Sequence, residues 1–233
     1  MSARPTLCII AMVLALGWVG CADEDGSFYI YWARQPAEKC KTPSTDTSGQ
    51  YNGRGTLDVL VKQGYWTYFL AINNLNPTSS EDGQPERNNL HMKEFRISLD
   101  LGSVPGSYPD SVINFSEPIS GTAPPGGGKV IMPARVISDQ LASMLASVIP
   151  KNAEPNITAK IRIAALRSEA EIESSEFLFP ITLCNGCLVD FRNTCPAATD
   201  TYSKNVCGYP QDTPVTCCQP ANRSVPLCMM GDN

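Results

Sequence analysis

The chain has 233 residues, with 18 Lys and Arg against 23 Asp and Glu and a formal charge of −5. That balance disfavours nucleic acid and anionic lipid surfaces as partners. Nineteen prolines and seventeen glycines, scattered along the chain, suit a β-protein with many turns.

Residues 1–20 have the parts of an export signal peptide. Arg4 supplies the positive start, and Leu7 to Val19 (LCIIAMVLALGWV) is apolar. The run is short for a membrane span, which needs about 20 apolar residues, and no later run approaches it, so no transmembrane helix is expected. Gly20-Cys21 resembles a lipobox, in which the Cys21 thiol takes lipid and becomes the mature N-terminus; Trp18 departs from the usual Leu. Cleavage after Ala22 by the ordinary small-x-small rule competes with it. The lipidated reading expects an outer-membrane or cell-surface protein joined to the membrane by its N-terminal lipid, because Ala22, not Asp, follows the cysteine. The other leaves it secreted or periplasmic. Residues 21–27, with the acidic "DEDG", read as a solvated tether.

Residues 28–189 read as a β-domain. "FYIYWA" (28–33) alternates Phe28, Ile30 and Trp32 against Tyr29 and Tyr31. "GTLDVLV" (55–61) and "YWTYFLAINNL" (65–75) read as a hairpin turning at Gly64, the second arm a central strand apolar on both faces. Residues 73–90 form a long polar loop, and 91–102 resume strand. Strands at 111–121 and 128–138 follow, joined by "TAPPGGG", with Pro133 suited to an edge or bulge. One helix is expected at 138–150, with Ser138 as cap, Leu141, Met144, Leu145 and Val148 at helical spacing, and Pro150 as stop. Strands at 157–168 and 171–184 complete the set. The expected fold is mainly β: a two-layer antiparallel sandwich of Ig-like or Greek-key type, with one short helix and a disulfide-rich C-terminal appendage.

Ten cysteines are present. Cys8 lies in the leader, and Cys21 is lipidated or removed. The remaining eight are Cys40, Cys184, Cys187, Cys195, Cys207, Cys217, Cys218 and Cys228. Export and an even count favour disulfides over metal. Seven of the eight follow residue 183, so full pairing within the chain joins Cys40 to one of them. Neighbouring Cys217 and Cys218 should reach different partners, because a disulfide prefers a wider Cα separation than adjacent residues have. The tail, 190–233, is poor in apolar residues, and disulfides should stand in for a core. "CNGC" also has redox or half-zinc spacing, but it closes a strand where a redox motif should open a helix.

The lipobox start, the "GTLDV…Y" segment, one helix late in the sandwich and "FPITLCNGCLV" before a cysteine-rich tail resemble surface lipoproteins of myxobacterial type. The resemblance covers most of residues 21 to 190 and carries no activity and no functional residue with it.

The residues show no catalytic set. His91 is the only histidine, at a strand end, and "HMKE" would put it and Glu94 on opposite strand faces. Glu169, Glu171 and Glu173 share one face of a strand; two such acids across a cleft could hydrolyse a glycoside, but the row reads more simply as a solvated face. "GTAPPGGGK" lacks phosphate-loop spacing and is a turn. Phe28, Tyr29, Tyr31, Trp32, Tyr65, Trp66, Tyr68 and Phe69 divide between core packing and a sugar platform. No cofactor, metal or catalytic residue is expected. The expected role is binding or structural, toward another envelope protein or a glycan. Alternatives are a carboxylate-dependent glycan hydrolase, a thiol oxidoreductase at Cys184 and Cys187, and a plain secreted disulfide-rich binding protein.

Overall fold

The computed structural model describes residues 26–36, 41–47, 51–78, 85–192, 211–218 and 227–230. It is a β-sandwich. One sheet is antiparallel, with β1 (Phe28–Arg34) and β7 (Gly128–Ile137) flanking β3 (Tyr65–Asn73). The other runs β2 (Gly55–Asp58), β10 (Phe177–Cys184), β8 (Asn156–Arg167), β4 (Leu90–Asp100), β5 (Asn114–Pro118). The short β6 (Thr122–Ala123) pairs with β4, and β9 (Ala170–Glu173) with β8. A third small sheet joins β11 (Val189–Arg192), β12 (Val215–Cys218) and β13 (Leu227–Met230).

The inward rows of the two large sheets form the core. Phe69 is fully buried, and its ring lies 5.4 Å from Phe95, 5.9 Å from Phe177 and 6.3 Å from Phe179. Side chains from the opposite sheet therefore meet on one ring, and such tilted or edge-on pairs add to what burial alone contributes. The helix Asp139–Val148 is capped by Ser138, whose hydroxyl accepts from the Leu141 amide at 3.1 Å. It buries Leu141, Ala142 and Leu145 and packs against the 3-10 turn Val59–Val61. Pro133 sits on the edge strand β7, opposite Tyr68.

Several local expectations need correction. Residues 55–61 and 65–75 are not a hairpin: β2 ends at Asp58, pairs in parallel with β10, and the chain crosses to the other sheet through Val59–Val61. Asp58 caps that turn from its own side chain, and Lys62 adopts a left-handed φ of 57° to leave it. Gly64 follows where a Cβ would sit 2.0 Å from the Ile137 carbonyl oxygen, so only glycine fits. A β-bulge between Ile30 and Trp32 turns Trp32 away from Phe28 and Ile30, toward the outer side with Tyr29. A second bulge, between Met92 and Glu94, puts Glu94 on the same outer face as His91. Residues 111–113 belong to a helical turn, Asp110–Ile113, and strand begins only at Asn114. The segment 171–184 is two strands, broken where the buried Ser174 hydroxyl accepts from the Ile163 amide. The sandwich contains one parallel pair, β2–β10, and the small third sheet another, β11–β12.

Candidate functional site

Two carboxylates, the buried Asp58 and the partly buried Asp212, hold the end of the sandwich that faces the tail. Asp58 is fully buried and accepts backbone N–H groups of Leu60 (3.0 Å), Gly186 (2.8 Å), Leu188 (2.9 Å) and Val189 (3.2 Å). Gly186 belongs to the loop closed by the Cys184–Cys187 disulfide, and Leu188 and Val189 follow it directly. Asp58 lies within 4.8 Å of both sulfurs, but a disulfide presents no thiolate for a metal. The cluster is therefore a knot that shapes the "CNGC" loop.

Gln211 and Asp212 dock the tail. The Gln211 side chain accepts from the Trp66 amide at 2.8 Å and donates to the Trp66 carbonyl at 2.5 Å. Asp212 accepts from the Thr56 amide at 2.6 Å and the Tyr65 hydroxyl at 2.7 Å, while its own amide donates to the Thr56 carbonyl. Burial pushes the Asp212 carboxyl above its ordinary range, against the hydrogen bonds from Gln35, Tyr65 and Thr56. Burial, then the charge of Asp212, pushes Tyr65 well above 10. Gly55 makes room for that tyrosine: a Cβ there would lie 2.6 Å from its hydroxyl oxygen. Beyond the latch, Val215 and Cys217 pack on Val61.

The outer face of the larger sheet carries a charge ladder. Lys93 pairs with Glu171 at 2.7 Å; Arg96 with Glu94, Glu171 and Glu173; Arg162 with Glu173 and Glu176. Lys93 and Arg96 together pull Glu171 below the usual carboxylate range. A glycosidase acid needs the opposite shift. Glu171 and Glu173 are thus tied to cations, and Glu169 is exposed at the β8–β9 turn. Beside the ladder lies a shallow concavity of about 450 Å³, lined by Arg96, Ser98, Ser116, Lys160, Arg162 and Glu176. His91 is exposed, 3.2 Å from the Thr122 hydroxyl.

The outer face of the three-stranded sheet is different. The aromatic cluster of the sequence divides there: Phe28, Tyr65 and Phe69 enter the core, while Tyr29, Trp32, Trp66 and Tyr68 belong to the outer rows with Leu70, Ile72 and Ile131. Arg34 stacks over Trp32 at 4.5 Å, and Arg135 over Trp66 at 4.7 Å. Trp32 is only 1% exposed. Among the described residues six buried side-chain polar atoms have no hydrogen-bond partner, and five belong here: Trp32 Nε1, Arg34 Nε and Nη2, Trp66 Nε1 and Arg135 Nε. All five are donors. Each buried donor left unmade costs about 1–3 kcal/mol, so their concentration on one face marks it. Sequence reasoning singled out the tryptophans and passed over the arginines. The signal for Arg34 was present, because residues two apart on a strand share a face; Arg135 meets Trp66 only through the β3–β7 register.

Among the predicted site residues, Cys184 and Cys187 are bonded to each other, and Cys217 and Cys218 are both disulfide-bonded. Cys228 stands opposite Cys217 in the β12–β13 register. Cys21, Cys40, Cys195 and Cys207 lie outside the described residues. No known protein family matches the chain, and no curated protein shows significant similarity to it.

Proposed function

We propose that this protein is an exported binding module, anchored by lipid at Cys21 on the outer membrane or cell surface, with the outer face of β1, β3 and β7 as its recognition surface. The supporting observation is the make-up of that face: two arginines stacked over tryptophans, beside the half-buried rings of Trp66 and Tyr68 and the exposed Lys129 and Pro133. The sandwich carries the face, and the Gln211 side chain braces β3 edge-on by holding both backbone polar groups of Trp66. Regular elements hold a recognition geometry better than loops do. Among the described residues no helix is long and apolar enough to cross a membrane; the anchor in this reading is the lipid at Cys21.

Co-sedimentation with detergent-stripped envelope material from the host cell tests the proposal, since the anchor then has no bilayer to enter. The protein is expected to co-sediment, and the Trp66→Ala/Tyr68→Ala double variant to bind at least about tenfold more weakly, as loss of central aromatic anchors does at recognition surfaces. Absence of binding, or equal binding by both proteins, contradicts it.

A further inference from the structure

We infer that the concavity on the outer face of β8, β4 and β5 is a second binding site, which takes a small sugar bearing an oxyanion and anchors it on the Lys160 ammonium. The inference is independent of the recognition face proposed above, which lies on the other sheet.

The first argument is how the concavity forms. Two rows of side chains cross these strands on the solvent side. One runs Arg162, Arg96, Ser116, and the next Lys160, Ser98, Asn114. Ser98 and Ser116 are short and stand among long neighbours, so they floor a hollow of about 450 Å³ whose walls include Arg96, Arg162 and Lys160. The spacing of facing and diagonal neighbours sets the backbones of these three cations within about 8 Å of one another. Lys160 and Arg162 are exposed and Arg96 partly so, and a ligand reaches all three from solvent. A hollow of this size lies toward the lower end of small-molecule sites and suits one sugar unit.

The second argument is which groups are left over. Arg96 is held by Glu94, Glu171 and Glu173. Glu94 and Glu173 stand opposite Ala164, and Glu171 opposite Leu166, so these acids hold Arg96 from the β9 side. The row of Lys160, on the other side, contains no carboxylate. Among the described residues Lys160 makes no ion pair. Glu176 is the only acid lining the hollow, so an incoming oxyanion meets three cations and one carboxylate. A guanidinium has five N–H donors, and Arg96 spends three on its acids, which leaves two. The hydroxyls add a second requirement. Ser98 donates its proton to the Asn114 side-chain oxygen at 2.6 Å, and the Asn114 amide donates to Asp110 at 2.6 Å. Ser98 is thereby left to accept from a ligand. Ser116 is exposed, and among the described residues its hydroxyl has no partner. A ligand that satisfies these groups carries anionic oxygens for the cations and a hydroxyl for Ser98. A sugar bearing a carboxylate or a phosphate has both. The acids of the ladder also fix Arg96 beforehand, so less side-chain freedom is lost on binding.

Saturation-transfer NMR titrations with the full mature protein test the site. The probes are galacturonate and galactose 6-phosphate, with galactose as the sugar without charge and acetate and methyl phosphate as charge without sugar. At least one anionic sugar is expected to bind at millimolar concentration, and the one that binds identifies the oxyanion as carboxylate or phosphate. Galactose, acetate and methyl phosphate are each expected to bind at least about tenfold more weakly, the order of one charge-assisted hydrogen bond. Lys160→Gln should weaken the anionic sugar at least about tenfold on the same ground, whereas Lys129→Gln, on the other sheet, should leave its binding unchanged. Failure of both anionic sugars to bind overturns the inference. Equal binding of galactose overturns the requirement for charge, and equal binding of acetate or methyl phosphate overturns the requirement for sugar. Unchanged binding by Lys160→Gln, or an equal loss in Lys129→Gln, overturns the placement of the site. The comparison among probes involves no variant, so it decides the ligand class independently of how the variants fold. None of these outcomes depends on Trp66 or Tyr68, so the recognition face stands or falls separately by its envelope assay.

Discussion

Replacing Asp58 by alanine removes one buried carboxylate and the acceptors of four backbone N–H groups, those of Leu60, Gly186, Leu188 and Val189. Gly186 is exposed, so water replaces its partner. The other three are partly buried, and at about 1 kcal/mol for each the loss comes to about 3 kcal/mol. For a domain of this size that lowers Tm by about 6–12 °C. Asp58→Asn keeps the shape but turns an amide N–H₂ toward N–H groups, and it should recover less than half of the loss. Because the carboxylate and the Cys184–Cys187 bond hold the same loop, Asp58→Ala and Cys184→Ser/Cys187→Ser should be non-additive by about 1 kcal/mol or more. Urea unfolding with the other disulfides intact measures all three. A loss below about 1 kcal/mol for Asp58→Ala would refute the knot as described.

Gly64→Ala must part the start of β3 from the end of β7, because its Cβ would strike the Ile137 carbonyl; a cost of about 2–3 kcal/mol is expected from thermal unfolding. Asp212→Asn tests the tail latch through pH. Burial raises the folded pKa of Asp212, so the stability it contributes is complete below the ordinary aspartate range, about pH 3.9, and is lost as pH rises through the folded value. The stability difference between wild type and Asp212→Asn, measured in urea at several pH values, should thus favour wild type most at low pH; a difference growing with pH contradicts the latch. Arg96→Ala should lower Tm by less than about 3 °C, since the ladder is exposed and screened.

The sandwich was legible because its strands alternate cleanly. Phe95, Ile97 and Leu99 on β4 and Ile157, Ala159, Ile161 and Ile163 on β8 are all buried, as their period of two implies. The helix was legible from Ser138 and Pro150. Strand partners were not. Nothing local distinguishes a turn back at Gly64 from a crossing between sheets; the distinction lies in Asp58, whose acceptors are met by residues about 130 positions away. Bulges escaped for a similar reason. Alternation in "FYIYWA" assigns Trp32 to the core, and only the pairing with β3 reveals the slip that turns it outward. The outer face of β1, β3 and β7 depends on that slip and on the β3–β7 register, so its tryptophans could be suspected and Arg135 could not be placed beside them.

The intact mass of the membrane-extracted protein tests the central claim most directly, that this is an exported, lipid-anchored, disulfide-held module. The account predicts a mature chain starting at Cys21 with added acyl mass. It also predicts a deficit of two hydrogens for every disulfide among Cys40, Cys184, Cys187, Cys195, Cys207, Cys217, Cys218 and Cys228. A chain retaining Met1 with no acyl mass and all eight cysteines reduced would contradict it.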